Sequence, residues 1–221
     1  MFVPTADQRS IWINQCCLWS AEEYRLVGVL LGLAVYNDIL LDIHLPKVMF
    51  KKLLNAKTFE LSDVISVDPL LHEGLVKLLG FEPPEDVEDI FCRTFEVEWE
   101  EYGAVRKHNL IPLGSTIPVT GDNRIEYVRL LVNWILVDSI RDQFDDLYIG
   151  FSRVINPNWT LLFSGGKDRT CACCLSIKML DSSSSSFTSS SSSIFIIVID
   201  FFVELISVPS IYVRMPFHHC H

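Results

Sequence analysis

Residues 20–37 read SAEEYRLVGVLLGLAVYN, and this stretch decides the fold. Ser20 followed three positions later by Glu23 is a capping box: the serine faces the amide of Glu23 while the glutamate reaches back to the amide of Ser20. The helix it opens, to about Asn37, is apolar almost all round through Leu26, Val27, Val29, Leu30, Leu31, Leu33 and Val35. A helix of this kind that is too short to span a bilayer is expected to be the central buried helix of a globular core. Gly28 and Gly32 sit four apart on one face, at a cost of up to ~1 kcal/mol each relative to alanine, so close backbone packing is expected there.

Outward from this helix, Pro46 suits the first turn of a second helix to about Leu54. Val48, Met49, Phe50, Leu53 and Leu54 are expected to face inward, and Lys47, Lys51 and Lys52 to face water. Asp68-Pro69 is an N-cap followed by proline at the first helical position, with Gly80 as the expected C′ residue. Leu71, Leu75, Leu78 and Leu79 form one stripe between them. Residues 82–101 carry nine acids and one base, Arg93. Phe91, Phe95, Val97 and Trp99 alternate there with Glu96, Glu98 and Glu100, which predicts a half-buried strand with one carboxylate-lined face. Ile117-Pro118-Val119 is a short extended piece, after which Thr120 or Asp122 is expected to cap a helix to about Val137. Ile125, Val128, Leu131, Val132 and Ile135 would point inward from it. A last helix over roughly 139–152 carries Ile140, Phe144, Leu147 and Phe151. The pattern defines an α+β domain, mostly α-helical, with a small β element between helices.

The chain changes character near residue 155. Of its 18 Lys and Arg and 28 Asp and Glu, residues 1–155 hold 14 and 24, so the whole net charge of −10 lies in the first part. An acidic domain repels phosphate backbones and suits a basic protein partner rather than nucleic acid. Residues 156–193 read as a linker, with ten serines in the twelve positions 182–193. Residues 194–221 form an apolar tail, and the run 194–213 is the one route to a membrane. Asp200 and Glu204 interrupt it at roughly 2.5–3.5 kcal/mol each near a bilayer centre, and Pro209 breaks its last third. Its β-branched and aromatic composition favours a strand.

The seven cysteines, an odd number without a spaced framework, and the lack of a leading hydrophobic segment point to a reducing compartment, hence a cytoplasmic protein. No G-x-S-x-G, P-loop, G-x-G-x-x-G or H-E-x-x-H pattern occurs. His44, His72 and His108 are isolated, and Cys171, Cys173, Cys174, His218, His219, Cys220 and His221 lack zinc-ligand spacing. No catalytic residue, metal ligand or cofactor is expected. The residues alone describe an acidic, mostly helical interaction domain.

EEYRLVGVLLGLAVYNDILLDIHLP (Glu22–Pro46) resembles E-[FY]-x-L-[VI]-G-x-x-L-G-L-A-[IV]-Y-N, a signature of the HECT-type E3 ubiquitin ligase family, and further segments resemble that family in order. DPLLHEGLVKLLGFE resembles D-P-x-L-x-x-S-L-x-x-L-L, with Gly74 in place of the serine. EDVEDIFCRTFEVEWEEYG resembles N-V-E-x-x-x-x-x-T-F. IPVTGDNRIEYVRLLVNWILVDSIRDQFDDLYIGFSRV resembles I-x-V-T-x-x-N-[RK]-x-E-[YF]-V followed by Q-F-x-A-F-x-x-G-F. The order is kept across residues 1–155, which the resemblance identifies as part of a HECT N-lobe.

The resemblance implies an N-lobe whose small β-containing subdomain docks a ubiquitin-conjugating enzyme (E2), and a C-lobe whose cysteine carries ubiquitin as a thioester. After Val154 the R-P-E-E-[VIL] continuation and the L-P-x-[AS]-x-T-C-F-type cysteine motif are not found, so a truncated, E2-docking form without the covalent step is expected. A non-enzymatic E2 decoy and a membrane-tethered adaptor are the alternatives. Carried over residue by residue, the E2-binding groove comprises Leu71, Leu75, Leu78, Phe81, Phe91 and Tyr127, with Glu88 and Asp89 on an acidic flank. Within the leucine stripe the resemblance marks Leu75 and Leu78 as partly exposed.

Overall fold

The computed structural model describes residues 1–155 apart from 17, 18, 38, 40 and 42. The serine-rich linker, the apolar run and the tail cysteines and histidines lie outside the described residues. Along the chain come β1 (Phe2–Pro4), β2 (Ile11–Ile13), α1 (Ala21–Tyr36), α2 (Lys47–Leu53), α3 (Leu61–Val64), α4 (Pro69–Gly80), α5 (Val87–Phe91), β3 (Glu96–Glu101), β4 (Ala104–Asn109), α6 (Arg124–Leu136) and α7 (Arg141–Val154). Two antiparallel hairpins among mainly helical segments make an α+β chain, mostly α-helical, as expected. The described residues divide into two compact units, one of residues 1–4, 8–56 and 141–155, the other of residues 5–7 and 57–140.

In the first unit, the capping box forms at the head of α1. The Glu23 carboxylate accepts from the Ser20 amide at 2.7 Å and from its hydroxyl at 2.9 Å. Tyr24, Val27, Leu31 and Ala34 bury one face of the helix. Leu26 and Tyr36 are exposed and Val29, Leu30, Leu33 and Val35 half-buried, so α1 is not enclosed all round. The glycines do what their spacing implied. A β-carbon at Gly28 would stand 1.9 Å from the Leu147 carbonyl oxygen, and one at Gly32 would stand 2.9 Å from the Val154 β-carbon. Gly28 lies against Leu147 and Phe151 and Gly32 against Phe151 and Val154, so contacts advance along both helices in the same direction and α1 and α7 run parallel. Their sides are joined by Arg25, whose Nε donates to Asp146 at 2.9 Å.

Lys52 corrects an expectation. It is buried at 5% exposure, with its ammonium 4.5 Å from the centre of the Phe144 ring. The aliphatic stem shares the apolar face of α2, and the negative face of the ring receives the charge. The hairpin β1–β2, Phe2 opposite Ile13, had no sequence signal.

In the second unit, Asp68 caps α4 by accepting from the Leu71 amide at 3.0 Å. Helices α3, α4 and α6 pack together. From α6, Val128, Leu131, Val132 and Ile135 are buried as expected, but Ile125 is 70% exposed. The helix starts after Asn123, later than a cap at Thr120 or Asp122 would put it, so Ile125 lies in an outward-facing first turn. The Asn123 side chain ties down the approach: Oδ1 accepts from the Thr120 amide at 2.8 Å, and Nδ2 donates to the Pro118 carbonyl at 3.0 Å.

The strand expected to run from Phe91 begins only at Glu96. Phe91 is the last residue of α5, and Cys92 closes that helix in the left-handed region at φ 45°. Tyr102 and Gly103, both at positive φ, turn β3 into β4, as a tight two-residue hairpin requires. Glu96 and Glu98 hold Lys107 between them on one face. On the other, Trp99 and His108 lie against Trp134 with ring centres 5.2 and 5.8 Å apart.

Candidate docking site

The expected groove residues all fall in the second unit, and their burial sorts them. Leu71, Leu75 and Leu78 are 5%, 3% and 2% exposed. The expected partial exposure of Leu75 and Leu78 is therefore corrected: spacing of four and then three residues keeps Leu71, Leu75 and Leu78 on the inward face of α4, while Leu79 is half-buried. Tyr127, from α6, is also buried, at 5%. Its ring meets Phe95 edge to face with centres 5.4 Å apart. Burial pushes its phenol up from the ordinary value, opposed in part by the charge of Arg93, so it stays neutral throughout the physiological range.

Phe81 and Phe91 are different. Both are half-buried, and their rings meet edge to face with centres 5.5 Å apart. The chain brings them together by ending α4 abruptly. Phe81 leaves the helix in an extended conformation, φ −71° and ψ 134°. A 3-10 turn at Pro84–Asp86 then leads directly into α5. The turn rests on Gly121, where a β-carbon would stand 2.5 Å from the β-carbon of Pro84 and 2.6 Å from its carbonyl oxygen. Arg124 completes the junction, with Nη1 donating to the Phe81 carbonyl at 2.7 Å and the Leu78 carbonyl at 3.3 Å.

Glu88 and Asp89 on α5 are exposed, as are Glu82, Glu85 and Asp86 before them. Ile90 on α5 and Val76 on α4 expose about half of their surface, 51% and 46%. The sequence reading missed Ile90, Val76 and Arg124. Ile90 could have been found as the apolar residue beside Phe91 in an acidic run; Arg124 stands at the [RK] position of a motif noted above, but its partners are more than forty residues away and nothing local pointed to them. Among the described residues no group of three or more His, Cys, Asp or Glu is arranged to hold a metal ion. The arrangement combines an aromatic pair, an exposed isoleucine beside it in sequence and a negative flank, features that could serve a binding surface.

Comparison with known proteins agrees with the resemblance. Residues 1–207 match the HECT-domain (ubiquitin-transferase) family, and the chain belongs to that family. The match extends beyond the motifs, which stop near residue 155. Among similar proteins is the probable E3 ubiquitin-protein ligase HECTD2 of Mus musculus, 39% identical over 73% of this chain and 22% of that protein. The probable E3 ubiquitin-protein ligases HERC3 of Homo sapiens and HERC4 of Mus musculus are 35% and 33% identical, each over 74% of this chain and 15% of the relative. The chain thus spans less than a quarter of the length of these relatives.

Proposed function

We propose that this chain supplies the E2-docking part of a HECT-type E3 ubiquitin transferase acting in the cytoplasm. The observation that carries the reading is the half-buried Phe81–Phe91 pair at the junction of α4 and α5. It offers a partly dry aromatic anchor of the kind that dominates binding energy. The exposed acids around α5 suit a basic partner and act on association rate and partner choice more than on affinity. Buried Leu71, Leu75, Leu78 and Tyr127 hold the surface from beneath instead of touching the partner.

No cysteine in the sequence stands in a thioester motif, so docking is proposed without a covalent ubiquitin intermediate on this chain. The test is titration with a panel of purified E2 enzymes, followed by incubation with ubiquitin-charged E2. Binding that Phe91→Ala removes, with no ubiquitin adduct released by DTT, is the expected result. A DTT-labile adduct lost on substituting one cysteine would overturn the non-covalent reading; binding indifferent to Phe91→Ala would overturn the surface.

A further inference from the structure

We propose that Arg124 is the positioning residue of this docking surface, acting through the Phe81 backbone to set where the Phe81 ring meets Phe91; the inference rests on the docking reading above. Gly80 was expected to stop α4 by adopting a left-handed C′ conformation, yet it is the last residue of the helix, and among the described residues the glycine at positive φ is Gly103. The helix ends with Phe81 extended, and Arg124 reaches its carbonyls from outside. The same Nη1 serves Leu78 in the last turn and Phe81 beyond it, while Nη2 lies 3.9 Å from the Glu82 carboxylate. A guanidinium suits this task, because its fork of fixed donors sets direction as well as charge.

Arg124 stands where its own helix disfavours it. It is the first residue of α6, and the positive end of a helix dipole opposes a cation there, whereas the C-terminal end of α4 attracts one. A residue poorly placed for one element and well placed for another marks a tertiary role. Its side chain is 14% exposed, so its hydrogen bonds are shielded from competing water. The platform beneath is firm: Asn123 clamps Thr120 and Pro118, and Gly121 seats Pro84. A displaced Phe81 carbonyl would carry its ring off the edge-to-face contact.

The experiment compares the unaltered 221-residue chain with Arg124→Gln, Arg124→Lys and Phe91→Ala, using the tightest binder from a panel of purified E2 enzymes as probe. Arg124→Gln is expected to weaken binding roughly tenfold and to speed amide hydrogen exchange in residues 81–91 while leaving exchange in α1 unchanged. Arg124→Lys keeps the cation but loses the fork of fixed donors, and is expected to recover only part of the affinity. If Arg124→Gln binds as the unaltered chain does while Phe91→Ala does not, the positioning role is wrong and the docking surface stands. If neither variant weakens binding, or no E2 binds the unaltered chain, the docking reading falls and takes this inference with it. If exchange rises throughout the chain and Arg124→Lys rescues nothing, Arg124 serves stability alone and the inference is overturned.

Discussion

The α1–α7 pair and the Phe81–Phe91 corner represent opposite ways of joining helical segments. In the first, glycines let one backbone occupy the space of the other's absent β-carbons, with 1.9 Å separating the Leu147 oxygen from a β-carbon built on Gly28. In the second, two half-buried rings touch only edge to face, and the backbone between them is steered by a distant arginine. The first contact has no slack and offers nothing to a partner. The second leaves apolar surface uncovered. Stability concentrates where nothing can be added, and the proposed docking sits where something can.

Breaking the tight contact should have the largest effect. Gly28→Val is expected to destabilise the chain by about 3 kcal/mol or more, because the obstacle is backbone that cannot rotate away. Urea unfolding would show it, and a midpoint near that of the unaltered chain would mean that α1 and α7 separate freely. Leu75→Ala should cost about 3 kcal/mol through the cavity it leaves, with E2 affinity unchanged in the folded fraction. Lost affinity in fully folded protein would bring the inward face of α4 into the docking surface. Phe91→Ala should reverse that balance, costing less than about 1 kcal/mol of stability while reducing E2 affinity roughly tenfold or more. Equal losses in both measurements would erase the distinction between the regions.

A smaller effect separates the hairpin from both. Its hydrogen bond with Lys107 holds the Glu98 carboxyl below the usual carboxylate range, and the same bond raises Lys107 above the usual ammonium range. The Glu98 contribution is present above its unfolded pKa and disappears as pH falls through the lowered value. The Lys107 contribution is present below its unfolded pKa and disappears as pH rises through the raised one. Both groups are solvated, so the dependence is weak and salt-sensitive. Lys107→Gln should flatten both limbs of a stability-pH profile followed by hairpin tryptophan fluorescence; an unchanged profile would dismiss the pair. Smallest and of opposite sign, Gly80→Ala should stabilise the chain by about 0.5 kcal/mol, since nothing stands within 4 Å of a β-carbon there. A loss of stability would show that the end of α4 needs glycine after all.

Much of the fold was legible because its signals are local. The capping box of α1, the Asp68-Pro69 start of α4 and the stripes of α4, α6 and α7 depend on residues three or four positions apart. The hairpin strand β4 escaped because all six of its residues are exposed, which leaves no alternation of apolar and polar positions to read. Phe91 fell into an apparent strand because two phenylalanines and a valine at even spacing look alike whether or not Cys92 breaks the chain between them. The site was half legible. Of the residues assigned to the groove, Phe81, Phe91, Glu88 and Asp89 reach the surface, whereas Leu71 and Tyr127 are core and so are Leu75 and Leu78, for which partial exposure was expected.

By itself the sequence determined family, class and the longer helices α1, α2, α4, α6 and α7, though not the short α3 and α5, because caps and apolar periods act over one or two turns and the family motifs keep their order along the chain. Only the tertiary structure decided which apolar residues remain uncovered, since exposure depends on what packs opposite. It also brought Arg124, 44 positions beyond Gly80, onto the carbonyls at the end of α4. A guanidinium finds the carbonyls of a helix end through space, and no rule of neighbouring residues predicts which one will arrive.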